Sequence, residues 1–199
     1  IDAIADLVHK VRRVGRTSQG KDVEINISVA TFVPKPHTPF QWLPLLDLAE
    51  VERRQQRLRR ALRGRGIRLS WHDPRSTLLE AVLCRGDRRL SAVIWRAWAD
   101  GARFDAWDEY LDYSIWERAF AAEGLDPHFY SSRLRGSDEV FPWEHIASGV
   151  EREFLWEEYQ RALRGETTPD CREGCLACGV QTRFALDACP PPPCGREGD

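Results

Sequence analysis

The apolar positions of this chain alternate in some stretches and recur at helical spacing in others. Residues 23–33 alternate apolar and small polar side chains and are rich in β-branched residues, which predicts a strand buried on at least one face. A second short apolar run, residues 67–71, predicts another strand. Apolar residues recur at helical spacing over residues 4–14, with Gly15 as the predicted stop, and over residues 47–63. This order of helices and strands favours an α/β fold of the (β/α) barrel kind.

The chain beyond these strands has a helical pattern. Asp73 and Pro74 form a helix-start signature, as N-cap and first helical residue. Further helices are predicted over residues 107–123 and after residues 148–151, which have the form of a capping box. Aromatic loops separate these helices. Residues 74–165 are therefore predicted to be a helical, aromatic-rich region.

A proline-rich loop follows the first predicted strand. Pro34, Pro36 and Pro39 fix three φ angles and remove three N–H donors, so this stretch is predicted to be stiff and extended. Rigid polar loops at the carboxyl end of a buried strand are where α/β proteins place binding groups. The alternative is that the prolines cap the strand while Phe40 and Trp42 plug its end. The candidate ligand-facing residues of the loop are Lys35, His37, Thr38 and Gln41.

Three cysteines near the C-terminus, Cys171, Cys175 and Cys178, have the spacing C-x3-C-x2-C. Flanking glycines permit tight turns, so we expect the three thiolates to converge on one metal centre, either an iron–sulfur cluster or zinc. Cys189 or Cys194 could supply a fourth thiolate, as could a non-protein ligand. The alternative is free or disulfide-paired cysteines, although disulfides are rare in the cytosol.

Composition narrows the class of protein. No stretch approaches the roughly 18 apolar residues of a membrane span, and no signal peptide opens the chain, so we predict a soluble, cytoplasmic protein with no membrane partner. The net charge of -2 gives no global argument for nucleic acid. The arginines of the predicted helix 47–63 form either a solvated outer face or an RNA-facing surface. The lack of Met, even at residue 1, fits a processed terminus or a fragment.

Three segments carry a resemblance to a known family. They are FVPKPHTPFQW (residues 32–42), LCRGDRRLSAVIWRAWADGARFDAW (residues 83–107) and PDCREGCLACG (residues 169–179). In the same order, they resemble motifs of a family of radical SAM proteins whose longer members begin with a cobalamin-binding domain, and whose reaction and substrate are unassigned. All three motifs belong to the C-terminal half of that family, which favours a fragment.

The resemblance implies an iron–sulfur enzyme that uses S-adenosylmethionine (SAM) for radical chemistry on a TIM-like barrel. On this interpretation residues 1–73 are the last βα units of a partial barrel, residues 74–166 are a mainly helical satellite, and residues 167–199 are a Cys-rich metal knuckle with a Pro-rich tail. The knuckle is not the catalytic cluster, because the roughly twenty residues after it cannot build a barrel.

The resemblance also implies ligands. The residues that bind SAM, and any cobalamin domain, are expected upstream, so the isolated chain should be inactive. His37 and Thr38 are expected at the mouth of the barrel, facing the substrate or SAM. The substrate is unknown, with RNA as one candidate. The competing hypothesis is a non-enzymatic module that binds RNA or protein through the Arg-rich helix and a zinc knuckle.

Overall fold

Two parallel strands form one small sheet in the computed structural model, which describes residues 1–186. The strands are β1 (Ile25–Val29) and β2 (Ile67–Trp71), and their first residues lie opposite each other. Side chains alternate along both strands between half-buried and exposed positions, as expected of a sheet covered on one face. Both strands occur where the apolar pattern predicts them, although β1 is shorter than the predicted run.

Helices make up most of the remaining regular structure. Besides the two strands, the described residues contain eight α-helices and a short 3-10 turn. They are α1 (Asp2–Gln19), α2 (Leu48–Ala61), α3 (Pro74–Arg85), α4 (Leu90–Ala99), α5 (Tyr113–Ala122), α6 (Pro127–Ser131), α7 (Arg152–Leu163), α8 (Val180–Arg183) and the 3-10 turn (Pro39–Trp42). Within this part of the chain, no helix has both the length and the apolar character that a membrane crossing requires.

The prediction of a TIM-like barrel is wrong, and so is the α/β fold class built on it. The prediction placed the last βα units of a barrel in residues 1–73, but the two strands form one small sheet by themselves, and most of the regular structure of residues 1–186 is helical. The apolar positions beyond β2 recur at helical spacing, so this part of the chain buries its apolar side chains by helix packing and adds no strand. The described residues form a mainly helical fold with one small parallel sheet.

The chain divides into two compact units. The first, here called the strand unit, contains Ile1–Val33 and Pro44–Arg133. The second, here called the loop unit, contains Pro34–Leu43 and the chain from Leu134 onward. The proline-rich loop therefore belongs with a much later segment of the chain and not with the strand before it. The division into three domains that the sequence suggested stays a prediction.

Two apolar clusters stabilise the strand unit. In one, α1 and α2 cover one face of the sheet, with Val8, Leu58 and Leu62 buried against the inward side chains of the strands. In the other, α3, α4, α5 and α6 pack together. Asp73 caps α3 as the sequence predicts, and Asp47 caps α2 in the same way, because each carboxylate accepts a hydrogen bond from a backbone N–H of the first turn.

Aromatic rings and two arginines form the core of the loop unit. Trp42 is fully buried, and Phe141 stacks on Trp143 with ring centroids 4.8 Å apart. The guanidinium groups of Arg135 and Arg152 lie over the Phe141 ring, at 5.4 and 5.0 Å from its centroid. Cation–π contacts strengthen when the cation is shielded from water, and Arg135 is buried. These arginines are therefore part of the core.

Helix α1 continues past the glycine predicted to stop it. Gly15 lies inside the helix, where a Cβ would come within 2.8 Å of Val23 Cγ2. The helix ends at Gly20, which has a left-handed φ of 67° and donates its N–H to the Arg16 carbonyl at 2.9 Å. Gly15 thus permits close packing, and Gly20 supplies the turn.

A substitution at Gly86, directly after α3, tests how tightly the helices of the strand unit are packed. A Cβ there would lie 2.8 Å from the Val82 carbonyl oxygen and would also overlap the Leu90 side chain. We expect Gly86→Ala to lower the free energy of unfolding by about 1–3 kcal/mol, because the backbone of a packed helix cannot easily move aside. Gly174→Ala is the matched control, since a Cβ at that position meets nothing within 4 Å. Equal urea midpoints for the two variants would contradict the prediction.

Candidate functional site

One side-chain amide holds the proline-rich loop in place. Gln41 is buried, and its Oε1 accepts hydrogen bonds from the His37 N–H at 3.1 Å and from the Trp143 Nε1–H at 2.9 Å. The first bond closes the turn of the loop, and the second attaches the loop to the aromatic core. A buried donor without its acceptor costs about 1–3 kcal/mol. The conformation of the loop therefore depends on an amide at position 41.

His37 has an uncommon conformation. Its φ of 55° lies in the left-handed region, which residues other than glycine rarely adopt. Its Nε2 atom is buried and has no hydrogen-bond partner within residues 1–186. Strained backbone is concentrated at functional sites, and a buried polar atom without a partner calls for an explanation such as a ligand. His37 is therefore the leading candidate of the loop.

The loop is not extended to its end, as the sequence analysis expected. Thr38 has extended φ and ψ, but the 3-10 turn begins at the next residue, Pro39. Proline is tolerated in the first turn of a helix, because the N–H that it lacks has no partner there. The same three prolines thus allow both an extended stretch and a helical turn.

A polar cleft of about 400 Å³ lies beside the loop, within the loop unit. His37 and Gln41 line the cleft from the loop, and residues 141–155 supply most of its other surface. Side chains of both charges contribute to the lining. The charged and hydroxyl-bearing members are Glu144, Ser148, Glu151, Arg152, Glu153 and Arg183.

Some of these charges are engaged in the fold. Arg152 forms an ion pair with Glu144 and donates to the carbonyl oxygens of Ser137 and Glu139 at 2.7 and 2.6 Å. In contrast, Glu151, Glu153 and Arg183 form no ion pair with any described residue. Together with the Ser148 hydroxyl and the His37 imidazole, these three side chains are groups that the cleft offers to a ligand.

Two of the four loop candidates lie outside the cleft. Lys35 is exposed, and the Thr38 hydroxyl donates to the Lys35 carbonyl at 2.8 Å. Neither residue lines the cleft, whereas His37 and Gln41 both do. The structure therefore brings together two of the predicted site residues and separates them from the other two.

No pattern in the sequence predicted the part of the cleft around residues 144–153. Residues 148–151 have the form of a capping box, but α7 begins after Glu151, and this N-cap residue makes no side-chain hydrogen bond. Gly149 has a φ of 89°, and a Cβ there would come within 2.5 Å of the Phe184 ring. The available signal is this glycine near the acidic residues Glu144, Glu151 and Glu153, but scattered charges of this kind are also typical of an ordinary solvated surface.

The three cysteines do not form a metal site, and the predicted metal-binding knuckle is wrong for the described structure. Cys171 and Cys175 are exposed, and Cys178 is half-buried. No group of three His, Cys, Asp or Glu side chains within residues 1–186 is placed to hold a metal ion. The three cysteines line one pocket of about 630 Å³ in the loop unit, but they are not placed there as a group that could share a metal ion. The proposed fourth ligands, Cys189 and Cys194, lie outside the described residues.

Packing and hydrogen bonds hold the cysteine segment. The Glu151 N–H donates to the Cys178 carbonyl at 2.8 Å, and Gly179, with a φ of 97°, lies against the Glu151 side chain. The Cys175 thiol donates to Gln181 Oε1 at 3.5 Å. These contacts position the segment against the residue before α7.

The arginines at the start of α2 are paired within the strand unit. Arg53 and Arg54 each donate to Glu50 at 2.6 Å, and the bonds from Arg54 and then Arg53 lower the pKa of the Glu50 carboxyl. Arg57 donates to Asp2 at 2.5 Å. Guanidinium groups in such pairs are less available to phosphate, which favours the interpretation of this helix as a solvated outer face.

Comparison with known proteins finds a relative without an assigned function. The chain is 29% identical over 114 residues to an uncharacterised protein of Methanocaldococcus jannaschii. The aligned region covers 57% of this chain but 20% of the relative, so the match spans a fifth of that protein's length. No protein-family model and no solved structure matches the chain.

Gln41→Leu tests whether the amide holds the loop. The substitution keeps a side chain of similar size but removes the acceptor shared by the His37 N–H and the Trp143 Nε1–H. We expect the free energy of unfolding to fall by about 1–3 kcal/mol, measured by urea denaturation with tryptophan fluorescence. Thr38→Val, which removes one exposed hydrogen bond, is the control and should cost at most about 1 kcal/mol. A Gln41→Leu variant of unchanged stability would show that other contacts hold the loop.

Gly179→Ala and Cys175→Ser together test what orders the cysteine segment. A Cβ at position 179 would strain a φ of 97° and press on the Glu151 side chain, so we expect a loss of about 1–3 kcal/mol of stability. Cys175 is exposed, and its replacement by serine should change stability by less than about 0.5 kcal/mol. Thermal denaturation measures both effects. A large loss in Cys175→Ser, or on adding a chelator, would contradict order by packing.

Proposed function

We propose that this chain is the C-terminal part of a radical SAM enzyme and that its polar cleft binds SAM or the substrate of the radical reaction. The main support for the proposal is that the loop with the family resemblance also lines the cleft. The segment with a specific motif resemblance, residues 32–42, is the one that supplies His37 and Gln41 to the cleft. The proposal includes neither a barrel in the described residues nor a metal at the three cysteines.

The held conformation of the loop supports a ligand-binding role. Gln41 ties the His37 backbone to the aromatic core before any ligand arrives. A binding group that is already ordered loses less conformational entropy on binding. Reactive intermediates benefit from such placement, because productive geometry accounts for much of the rate of a positioned reaction.

The charges of the cleft suit a ligand that carries both signs. SAM has an α-ammonium group, an α-carboxylate and a sulfonium centre. In a radical SAM enzyme, cleavage of SAM generates the radical. Glu151 and Glu153 offer carboxylates to the cationic groups, and Arg183 offers a guanidinium to a carboxylate. His37 Nε2 adds one hydrogen bond. A zwitterionic substrate would satisfy the same groups.

The remainder of the catalytic machinery is assigned to a longer protein. The aligned region covers 20% of the uncharacterised relative, which is therefore a much longer protein. This supports the idea that sequence of this kind occurs within larger chains. The residues that would hold the SAM-cleaving cluster and any cobalamin are proposed to lie there, so this chain alone is expected to bind a ligand without turning it over. The proposed location is the cytoplasm.

The competing function is a non-enzymatic module that binds RNA or protein. It rested on the Arg-rich helix, of which Arg53, Arg54 and Arg57 are paired with carboxylates, and on a metal knuckle that the described residues do not form. RNA remains a candidate substrate class. Affinity for an RNA oligonucleotide that falls steeply with salt and is unaffected by changes in the cleft would favour the competing function.

Binding of SAM to the purified chain tests the cleft. His37→Ala should weaken the affinity about tenfold, because it removes one hydrogen bond to the ligand. Lys35→Ala is the matched control, since it alters the same loop outside the cleft. Isothermal titration calorimetry measures the affinities, and thermal denaturation should show little change in the melting temperature of either variant.

A second experiment tests the alternative that the cleft binds the substrate instead of SAM. In the longer protein, His37→Ala should reduce product formation or uncouple SAM cleavage from it, whereas Lys35→Ala should behave as the unsubstituted enzyme. Normal turnover of the His37→Ala enzyme, or equal losses in both variants, would exclude the cleft as the ligand site.

A further inference from the structure

A surface of the strand unit combines exposed aromatic rings with carboxylates. Five aromatic residues on α4 and on the segment between α4 and α5 leave more than half of their surface exposed: Trp95, Trp98, Phe104, Trp107 and Tyr110. Single exposed apolar side chains are common on proteins, but contiguous patches of them mark interaction sites. These rings, with the carboxylates among residues 100–112, are here called the acidic aromatic surface.

Three rings of this surface adjoin one another. The Phe104 centroid lies 6.1 Å from those of both Trp107 and Tyr110. Arg103, next to Phe104 in the chain, places its guanidinium over the Trp98 ring at 4.7 Å from the centroid. Phe104 has a φ of 57°, which is rare for a bulky residue. Phe104, Trp107 and Tyr110 therefore form one contiguous cluster of rings, and its central residue has an uncommon backbone conformation.

Negative charge dominates the same segment. Residues 100–112 contain five acidic side chains and one basic side chain, Arg103. The acidic residues are Asp100, Asp105, Asp108, Glu109 and Asp112. Asp112 caps α5 by accepting from the Ser114 N–H at 3.0 Å, and Asp108 lies 3.9 Å from the His72 imidazole.

The other carboxylates are less engaged. Asp100 and Glu109 form no ion pair with any described residue. One oxygen of Asp105 is buried and has no hydrogen-bond partner within residues 1–186. A buried carboxylate oxygen without a donor is unusual in a folded protein, because its desolvation is not compensated. The carboxylates of this surface that are open to a cationic partner are therefore chiefly those of Asp100, Asp108 and Glu109.

We propose that the acidic aromatic surface binds an arginine-rich protein segment. Guanidinium groups stack on aromatic faces and donate pairs of hydrogen bonds to carboxylates, so one arginine side chain can use both features of the surface. The contact of Arg103 with Trp98 shows this stacking within the chain itself. A nucleic acid would meet repulsion from the acidic side chains, and the charge therefore selects a cationic partner. The inference is independent of the function proposed for the cleft.

Titration with a nona-arginine peptide tests the inference on the full chain. We expect quenching of tryptophan fluorescence, an affinity that falls as salt is raised, and weaker binding of nona-lysine, whose ammonium groups do not stack as planar guanidinium does. Trp107→Ala and the double variant Asp108→Asn/Glu109→Gln should each reduce the affinity for nona-arginine about tenfold. The first variant removes a ring, and the second removes only charge.

The matched control is Asp6→Asn/Glu52→Gln, which removes two exposed carboxylates elsewhere in the strand unit. It should bind nona-arginine as tightly as the unsubstituted chain, and circular dichroism should show all variants to be folded. Absence of binding below about 1 mM would overturn the inference. So would equal losses in the control and the test variants. Self-association that Trp107→Ala abolishes, without peptide binding, would overturn it by assigning the surface to a second copy of the chain.

Discussion

The loop unit depends on the burial of Trp42. Its ring packs against three other aromatic rings at centroid distances of 4.9 to 5.9 Å, and its carbonyl oxygen accepts a hydrogen bond from the Arg135 N–H at 3.2 Å. Trp42 directly follows Gln41, so burial of the ring also brings the Gln41 amide to Trp143 and fixes the turn at His37. The geometry of the cleft is therefore a consequence of close core packing. The prolines restrict the loop backbone, but the packing of this core fixes its position.

Arginine serves different purposes in the two units. In the loop unit, Arg135 and Arg152 place guanidinium groups over buried rings, where the loss of hydration is offset by the aromatic faces and by hydrogen bonds to backbone and carboxylate oxygens. In the strand unit, exposed arginines of α2 pair with the half-buried Glu50 and the exposed Asp2; surface ion pairs of this kind contribute little to stability but neutralise the charge of the arginines. A count of arginines in the sequence does not separate these uses. Only the neighbours of each guanidinium do.

Features with local causes could be predicted from the sequence. The position of β2 follows from a short apolar run, and the start of α3 follows from an aspartate and a proline that act within one helical turn. The barrel and the metal knuckle could not be judged in this way. Closing a barrel requires further strands, and convergence of thiolates requires backbone turns between them; neither condition is contained in the spacing of a few residues. The family resemblance concerns a longer protein, and it stays a prediction.

The sequence by itself determined where the two strands lie and where α2 and α3 begin, because periodicity and capping act between residues close together in the chain. It did not determine the start of α5, which begins at Tyr113 and not at residue 107. The tertiary structure decided the rest. Gly15 permits close packing on Val23 where the sequence predicted a helix end, since only the fold shows which side chain approaches it. His37 faces the cleft and Lys35 does not, although the two are neighbours in one loop. The physical reason is that the partners of these residues are brought near by folding, and no pattern over adjacent positions specifies how distant segments will pack.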